Sequence, residues 1–234
     1  MPFLPEDADG CKQFRNHPGL QSGVHEASGV MSSPAILSDI GNVLVAFDFK
    51  IAARRAAGLC PFPPEQLFTR LDSIKLPYEN GDMDDATFVR EAMRLLEFAG
   101  DEAMFRRIWC EIFTENQAME RTLAAFTGRL PMFLLSNTSG MHKDYLLGTF
   151  GIFRHFQGGV YSYSAKCSKP DAVIFEKTVA ELGLEPEQTF YIDDLEANIA
   201  TARRLGFQTH LYRLDDHAAL ERDLGMWTER VLSS

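Results

Sequence analysis

Residues 189–212 read TFYIDDLEANIATARRLGFQTHLY, and this stretch contains a complete strand–helix–strand pattern. The apolar run over 189–193 ends in carboxylates and predicts a buried strand. Residues 195–205 have helical character and are followed by Gly206, which is typical of a helix end, and residues 208–212 predict the next strand. Because strands joined through a helix pair in parallel, this stretch indicates a parallel sheet.

The same alternation extends toward the beginning of the chain. Apolar runs predict strands over 35–39, 131–136 and 159–163, and helical patterns cover 140–150, 170–182 and 215–232. Residues 43–49 are β-prone and predict a small hairpin. We therefore predict an α/β fold with a Rossmann-like, doubly wound parallel sheet.

A long helical block separates the first predicted strand from the others. Helices are expected near 51–56, 63–71, 84–98 and 105–113, and no strand signal interrupts residues 50–126. Aromatic residues recur at helical spacing in this block, and we interpret them as packing between helices. We predict a core of residues 35–49 and 127–234, interrupted by a helical insert over 50–126.

Composition narrows the range of functions. The 234 residues carry a formal charge of −10, which argues against a nucleic-acid partner because such partners require a basic face. No apolar run approaches the roughly 20 residues needed to cross a bilayer, so no membrane partner is expected. Four cysteines are scattered without a CxxC pair, which indicates reduced thiols and a cytoplasmic location.

Residues 1–34 differ from the rest of the chain. They are rich in Gly, Pro, Ser and His and have no periodic apolar pattern. They also lack the basic start and apolar centre of a secretory signal. We expect this segment to be a flexible leader.

Polar side chains stand where the predicted strands end. These residues are Asp39, the pair Ser136 and Asn137, and the pair Asp193 and Asp194. Because ligands of parallel sheets bind beyond the carboxyl ends of the strands, we expect these side chains to share one site. Adjacent carboxylates repel each other unless a cation or a proton relieves them, so the last pair indicates a cation.

Four segments resemble, in order and spacing, the four motifs of the haloacid dehalogenase-like hydrolase superfamily. The segments are SDIGNV (38–43), LLSNT (134–138), SKP (168–170) and YIDD (191–194). The resemblance extends over about residues 35–212, and the helical block lies where that superfamily carries a helical cap. The first motif is similar to that of a branch of small phosphatases in which the usual Asp-x-Asp is absent.

The resemblance implies a Mg²⁺-dependent phosphatase that acts on a small phosphorylated metabolite, such as a sugar phosphate. The reaction would form an aspartyl-phosphate on Asp39. A phosphomonoester is a dianion, so its approach to a carboxylate nucleophile requires cations in the site. Lys169 would supply one positive charge, and Mg²⁺ with hard oxygen ligands would supply the other.

The resemblance also assigns roles to the remaining residues. Ser136 would act in catalysis with Asp39 and Lys169, and the expected substrate contacts are Asn137, Gly41 and Asn42. The expected metal ligands are Asp39, Asp193, Asp194 and the carbonyl of Gly41. Spacing alone places Asn198 one helical turn after Asp194, where it would orient the acidic pair; the alternative is an exposed helix residue.

One position departs from the pattern. Gly41 stands where most phosphatases of the superfamily place an Asp that donates a proton to the leaving group. Either the enzyme favours good leaving groups such as a sugar 1-phosphate, or another group supplies the proton, with His142 and residues 79–82 as candidates. A third hypothesis is a catalytically weak protein that binds a phosphorylated ligand.

A rival enzyme class remains open. A metal-independent 2-haloacid dehalogenase also uses an aspartate nucleophile, which attacks a carbon that carries a halide. The paired carboxylates at 193 and 194 favour metal-assisted phosphoryl chemistry over it.

Overall fold

The computed structural model describes residues 33–233, so the predicted leader over 1–34 lies almost wholly outside the described residues. Within residues 33–233, five parallel strands form the central sheet. They are β1 (Ala35–Ser38), β4 (Met132–Ser136), β5 (Gly158–Tyr161), β6 (Thr189–Asp193) and β7 (Gln208–Leu211). Their order across the sheet is β5-β4-β1-β6-β7, which confirms the predicted parallel α/β sheet.

The register aligns the carboxyl ends of the three central strands. Ser38 of β1 lies opposite Leu134 of β4 on one side and Ile192 of β6 on the other. Residues that follow these positions therefore emerge at the same edge of the sheet. This arrangement brings the segments after β1, β4 and β6 together.

Helices lie between the strands and after the last one. Their bounds are α1 (Phe49–Arg55), α2 (Leu67–Glu79), α3 (Asp85–Leu95), α4 (Glu102–Cys110), α5 (Gln117–Ala124), α6 (Gly140–Thr149), α7 (Ser162–Ala165), α8 (Ala172–Leu182), α9 (Glu196–Arg204) and α10 (His217–Leu232). Short 3₁₀ turns occur at Pro64–Gln66, Gly151–His155 and Pro186–Gln188. Each helix in the described part of the chain is too short or too polar to cross a membrane.

Successive residues of each central strand point to opposite faces of the sheet. In β6, Phe190 and Ile192 pack in one hydrophobic cluster with residues of α5 and α10. Tyr191 packs in the other, with residues of α8 and α9. Helices therefore cover both faces of the sheet, which explains why its strands read as nearly continuous apolar runs.

A second, two-stranded sheet corrects the sequence analysis in two places. β2 (Val45–Phe47) pairs antiparallel with β3 (Phe113–Glu115). The segment after the first strand thus finds its partner almost 70 positions away and does not fold back as a local hairpin. The expectation of no strand in residues 50–126 was also wrong. Phe113 continues the helical spacing of the aromatic residues, but α4 ends at Cys110 and Phe113 is the first residue of β3.

The helices α1–α4 pack around a third hydrophobic cluster, separate from those of the sheet. Phe88, Phe105 and Trp109 lie at its centre, and Met141 of α6 contributes from the side of the sheet. α2 continues to Glu79, beyond the predicted end near residue 71, and it contains Pro77. The residues of α5, in contrast, pack in a cluster of the central sheet.

Candidate active site

Lys169 lies at the centre of the site, in the segment just before α8. Its ammonium lies 2.8 Å from Asp39 Oδ1 and 2.7 Å from Asp193 Oδ2, and it donates to the carbonyl of Leu135 at 2.9 Å. Only 5% of the residue is exposed. Burial alone would lower the pKa of Lys169, but the two carboxylates outweigh burial and raise it, so the side chain stays charged.

Asp39 follows β1 directly, and its position is braced across the sheet. Its backbone N–H donates to the carbonyl of Ile192 at 2.9 Å. Burial raises the pKa of Asp39 to about 6, against the lowering effect of Lys169 and with a further raising effect of Asp193. The site therefore holds more negative charge than one ammonium neutralises, as expected of a carboxylate cluster that receives a second cation.

Asp193, at the end of β6, is completely buried and accepts hydrogen bonds on both oxygens. Oδ2 accepts from Lys169, from the hydroxyl of Tyr191 and from Asn198. Oδ1 accepts from the backbone N–H of Leu195 at 2.8 Å and from Asn198 at 2.9 Å. These hydrogen bonds hold the Asp193 carboxylate in place, and Asp193 in turn positions the ammonium of Lys169.

Asp194 is in a different environment from its neighbour, because it is only half-buried and lines the cavity at the end of the sheet. Its Oδ2 accepts a hydrogen bond from the side-chain amide of Asn42 at 3.0 Å. Burial raises the pKa of Asp194, with Asp193 adding to the rise. Three carboxylate oxygens, one from each of Asp39, Asp193 and Asp194, lie within 4.8 Å of one another. One hard cation can bridge oxygens at this spacing.

Asn137 has a role that its sequence context did not reveal. Its side-chain amide donates to the carbonyl of Lys169 at 2.9 Å and accepts from the backbone N–H of the same residue at 2.8 Å. The amide thus pairs with both polar groups of the Lys169 backbone and joins the second motif to the third. Ser136, at the end of β4, is buried and lines the cavity beside Asp39.

Two adjoining cavities lie at this edge of the sheet. The first, of about 200 Å³, is lined by Asp39, Gly41, Asn42, Phe47, Ser136, Asn137, Lys169, Asp194, Leu195 and Asn198. The second, of about 110 Å³, shares Gly41, Phe47, Ser136 and Asn137 with the first and adds Ile40, Phe49, Glu79, Phe113, Thr138, His142 and Leu146. A larger cavity of about 540 Å³, between α2, α3 and α6, contains none of the motif residues just described.

The structure thus brings together every residue that the sequence analysis assigned to the site. The side-chain amide of Asn42 donates to Asp194, and that of Asn198 donates to Asp193. Tyr191 was missed, although its position two residues before Asp193 on the same strand places both side chains on one face.

His142, one of the two candidate proton sources, is neutral in this environment. Its Nε2 lies 3.1 Å from the carbonyl of Trp109, and burial lowers its pKa to about 4. Because the ring is uncharged at neutral pH and its one N–H donates a hydrogen bond to that carbonyl, His142 is a poor proton donor.

A family model described as haloacid dehalogenase-like hydrolase matches residues 34–206. This chain belongs to the haloacid dehalogenase-like (HAD) hydrolase family. The protein is therefore a hydrolase.

Solved structures of the family share the fold of this HAD-like hydrolase. A HAD family enzyme from Bacteroides thetaiotaomicron has a TM-score of 0.71 at 24% identity and covers 80% of this chain and 98% of its own. The same enzyme has been solved with magnesium and inorganic phosphate, with a TM-score of 0.70 at 23% identity over 78% of this chain and 95% of that one.

An L-2-haloacid dehalogenase from Xanthobacter autotrophicus is also similar, with a TM-score of 0.55 at 17% identity and 76% of each chain covered. Its structure contains covalently bound chloropropionic acid. At these identities the likeness concerns the fold, so the choice of reaction depends on the residues of the site.

Proposed function

We propose that this HAD-like hydrolase is a Mg²⁺-dependent phosphatase that acts on a small phosphorylated metabolite. The observation that carries the proposal is the cluster of Asp39, Asp193 and Asp194 within 4.8 Å around one buried ammonium, that of Lys169. Three carboxylates and one ammonium leave an excess of negative charge, and a phosphomonoester dianion would add to it. A divalent cation relieves both, whereas carbon–halide chemistry has no such need.

The donor set fits magnesium, which prefers hard oxygen ligands. We assign Asp39, Asp194 and the carbonyl of Gly41 as the ligands that would hold the ion. Asp193 would orient Lys169 and support the ligands, because hydrogen bonds already engage both of its oxygens. When bound, the ion would offset the negative charge of the carboxylates and of the phosphoryl oxygens.

The residues of the chain would then carry the reaction. Asp39 would attack phosphorus and form an aspartyl-phosphate, which water later hydrolyses. Lys169 would stabilise the ionised form of Asp39 and interact with a phosphoryl oxygen. The hydroxyl of Ser136 and the backbone N–H of Asn137 would bind another oxygen.

The substrate would be small, because the two adjoining cavities enclose about 200 Å³ and about 110 Å³.

We propose that α1–α4, over residues 49–110, act as a cap that excludes water from the site. This cap is shorter than the insert expected from the sequence, since α5 packs with the sheet. The complex of the Bacteroides thetaiotaomicron enzyme with magnesium and inorganic phosphate supports the proposal.

The test is a panel of phosphomonoesters that includes p-nitrophenyl phosphate, assayed with and without Mg²⁺. We expect release of phosphate that depends on Mg²⁺ and falls by at least about 10³-fold in Asp39→Asn, which lacks the nucleophile. Release of chloride from a 2-chloro acid without metal would instead identify a dehalogenase. Phosphate binding without turnover of any ester would leave the protein as a binder of phosphorylated ligands.

A further inference from the structure

We propose that Glu79 is the catalytic residue that donates a proton to the leaving group, the function that Gly41 cannot perform. This inference rests on the phosphatase activity proposed above and adds one residue to it. A leaving alkoxide is strongly basic, and a positioned acid that protonates it contributes about 10²–10⁴ in rate.

The space near Gly41 explains why the proton must come from elsewhere. A Cβ atom at this position would lie 3.0 Å from Cε1 of Phe47, which is a tight contact. The ring of Phe47 therefore takes up room beside the nucleophile, and it lines both adjoining cavities. The leaving group must face one of these cavities, and the second one contains Glu79.

The other titratable groups that line the two cavities already have hydrogen-bond partners or other roles in the proposed reaction. Lys169 has three acceptors around its ammonium, and His142 is neutral with its ring N–H on the carbonyl of Trp109. Asp39 is the nucleophile, and Asp194 accepts from Asn42 and would ligate the metal. Within residues 33–233, no hydrogen bond engages the carboxyl group of Glu79, so this group remains free to exchange a proton.

The backbone of Glu79 is fixed to the loop that would bind the phosphoryl group. Its carbonyl accepts a hydrogen bond from the hydroxyl of Ser162 at 2.7 Å. The same hydroxyl accepts from the backbone N–H of Thr138 at 3.0 Å. One serine thus connects the end of α2 to the segment that directly follows Ser136 and Asn137.

The next residue of the cap is fixed in the same way to the lysine loop. The hydroxyl of Ser168 donates to Oδ1 of Asn80 at 2.5 Å. Glu79 and Asn80 are therefore tied to two catalytic loops of the core. Attachment at two points fixes the backbone at the end of α2 relative to the site, so the Glu79 side chain extends into the second cavity from a defined position.

The surroundings of Glu79 favour the protonated form that an acid needs. Burial raises the pKa of Glu79, and Lys75, one turn earlier on α2, partly opposes this. Aromatic rings of Phe47, Phe49 and Phe113 line the same cavity and limit solvation of the carboxylate.

The two half-reactions balance with Glu79 as acid and then as base. An oxygen of Asp39 bonds to phosphorus, the bond from phosphorus to the leaving oxygen breaks, and that oxygen takes the proton of Glu79 to give an alcohol. Water then attacks the phosphorus and gives a proton to the Glu79 carboxylate. The bond from phosphorus to Asp39 breaks, which releases phosphate and restores both side chains.

Two aryl phosphates of similar shape test this role. Nitrophenolate leaves readily without a proton, whereas the more basic phenolate depends more on an acid. For Glu79→Gln we expect kcat/KM with phenyl phosphate to fall by about 10²–10⁴-fold and with p-nitrophenyl phosphate by less than about tenfold. The matched control is Asp82→Asn, because Asp82 is an exposed acid three residues after Glu79 and lines neither cavity.

Each outcome decides the matter. Unequal losses in Glu79→Gln, with Asp82→Asn close to wild type on both esters, support the assignment. Equal losses on the two esters would mean that Glu79 only shapes the cavity, and no loss on either would remove it from the reaction. A wild-type enzyme that releases no phosphate from either ester overturns the phosphatase proposal itself and this inference with it.

Discussion

Lys169 and the two carboxylates beside it depend on one another for their charges. The ammonium is buried between Asp39 and Asp193, and each carboxylate lies within 3 Å of it. Removal of the lysine would leave two buried carboxylates with no counter-charge. An uncompensated buried charge costs far more free energy than the intact pair contributes.

We therefore expect Lys169→Met to lower the free energy of unfolding by about 3–5 kcal/mol at pH 7, as well as to abolish turnover. Urea denaturation followed by circular dichroism measures the change. The matched control is Lys143→Met, since Lys143 is a partly exposed lysine that pairs with the exposed Asp144. This control should cost no more than about 1 kcal/mol. Equal stability of the two variants would contradict the role assigned to Lys169.

Strand ends identified Asp39, Ser136 and the acidic pair, because parallel strands bring their carboxyl ends together. Lys169 lies in a loop before α8, and only the family resemblance pointed to it. Contacts between the motifs were not predictable in this way. The pairing of Asn137 with the Lys169 backbone depends on the path of two loops that are 32 positions apart. Local sequence contains no signal for such a contact.

Among the elements, the core strands were predictable as short, nearly continuous apolar runs, and the core helices from their apolar periodicity and end signals. The strand β3 was not, since it has only three residues and none of them is fully buried. Its strand conformation comes from pairing with β2, which lies in a distant part of the sequence. Tertiary context here decides the conformation against the helical spacing of the aromatic residues.

The loop after α2 joins the cap to the core through a close backbone approach at Gly81. A Cβ at this position would lie 1.8 Å from the carbonyl oxygen of Tyr163, and the residue has φ of +74°. The ammonium of Lys166 also donates to the Gly81 carbonyl. The cap and the core can meet in this way only if position 81 has no side chain.

Gly81→Ala should therefore destabilise the protein and displace the neighbouring Glu79. Gly58→Ala is the matched control, because Gly58 has a similar φ of +78° and nothing within 4 Å of a Cβ. The left-handed conformation costs each variant about 1–2 kcal/mol, and the clash costs Gly81→Ala about 1–3 kcal/mol more. Chemical denaturation of both variants measures the difference. Identical losses would show that the close approach at Gly81 is not maintained in solution.

At the scale of the whole molecule, His142 lies where the cap meets the core. Its ring stacks on Trp109 of α4 with centroids 5.5 Å apart and meets the edge of Phe113. Burial lowers its pKa from 6.5 to about 4, so the folded protein disfavours its protonation. The unfolded chain binds that proton more readily, and acid therefore favours unfolding.

We expect the contribution of His142 to stability to be complete above pH 6.5 and to be lost as the pH falls toward 4. The loss amounts to about 3 kcal/mol over this range. His142→Gln keeps an N–H for the Trp109 carbonyl but does not titrate, so its unfolding free energy should depend less on pH. Denaturant titrations between pH 4 and pH 7 measure both slopes, and parallel slopes would contradict the burial of a neutral ring.

The central claim is that Asp39 becomes phosphorylated in a site whose charge is balanced by Lys169 and Mg²⁺. Acid quenching of wild-type enzyme during turnover of p-nitrophenyl phosphate with Mg²⁺, followed by peptide mass spectrometry, tests it most directly. We predict one phosphoryl group on Asp39 in the wild type, none without Mg²⁺ and none in Asp39→Asn. Turnover that proceeds at full rate with no phosphoryl group on Asp39, or with one on another residue, would contradict the account.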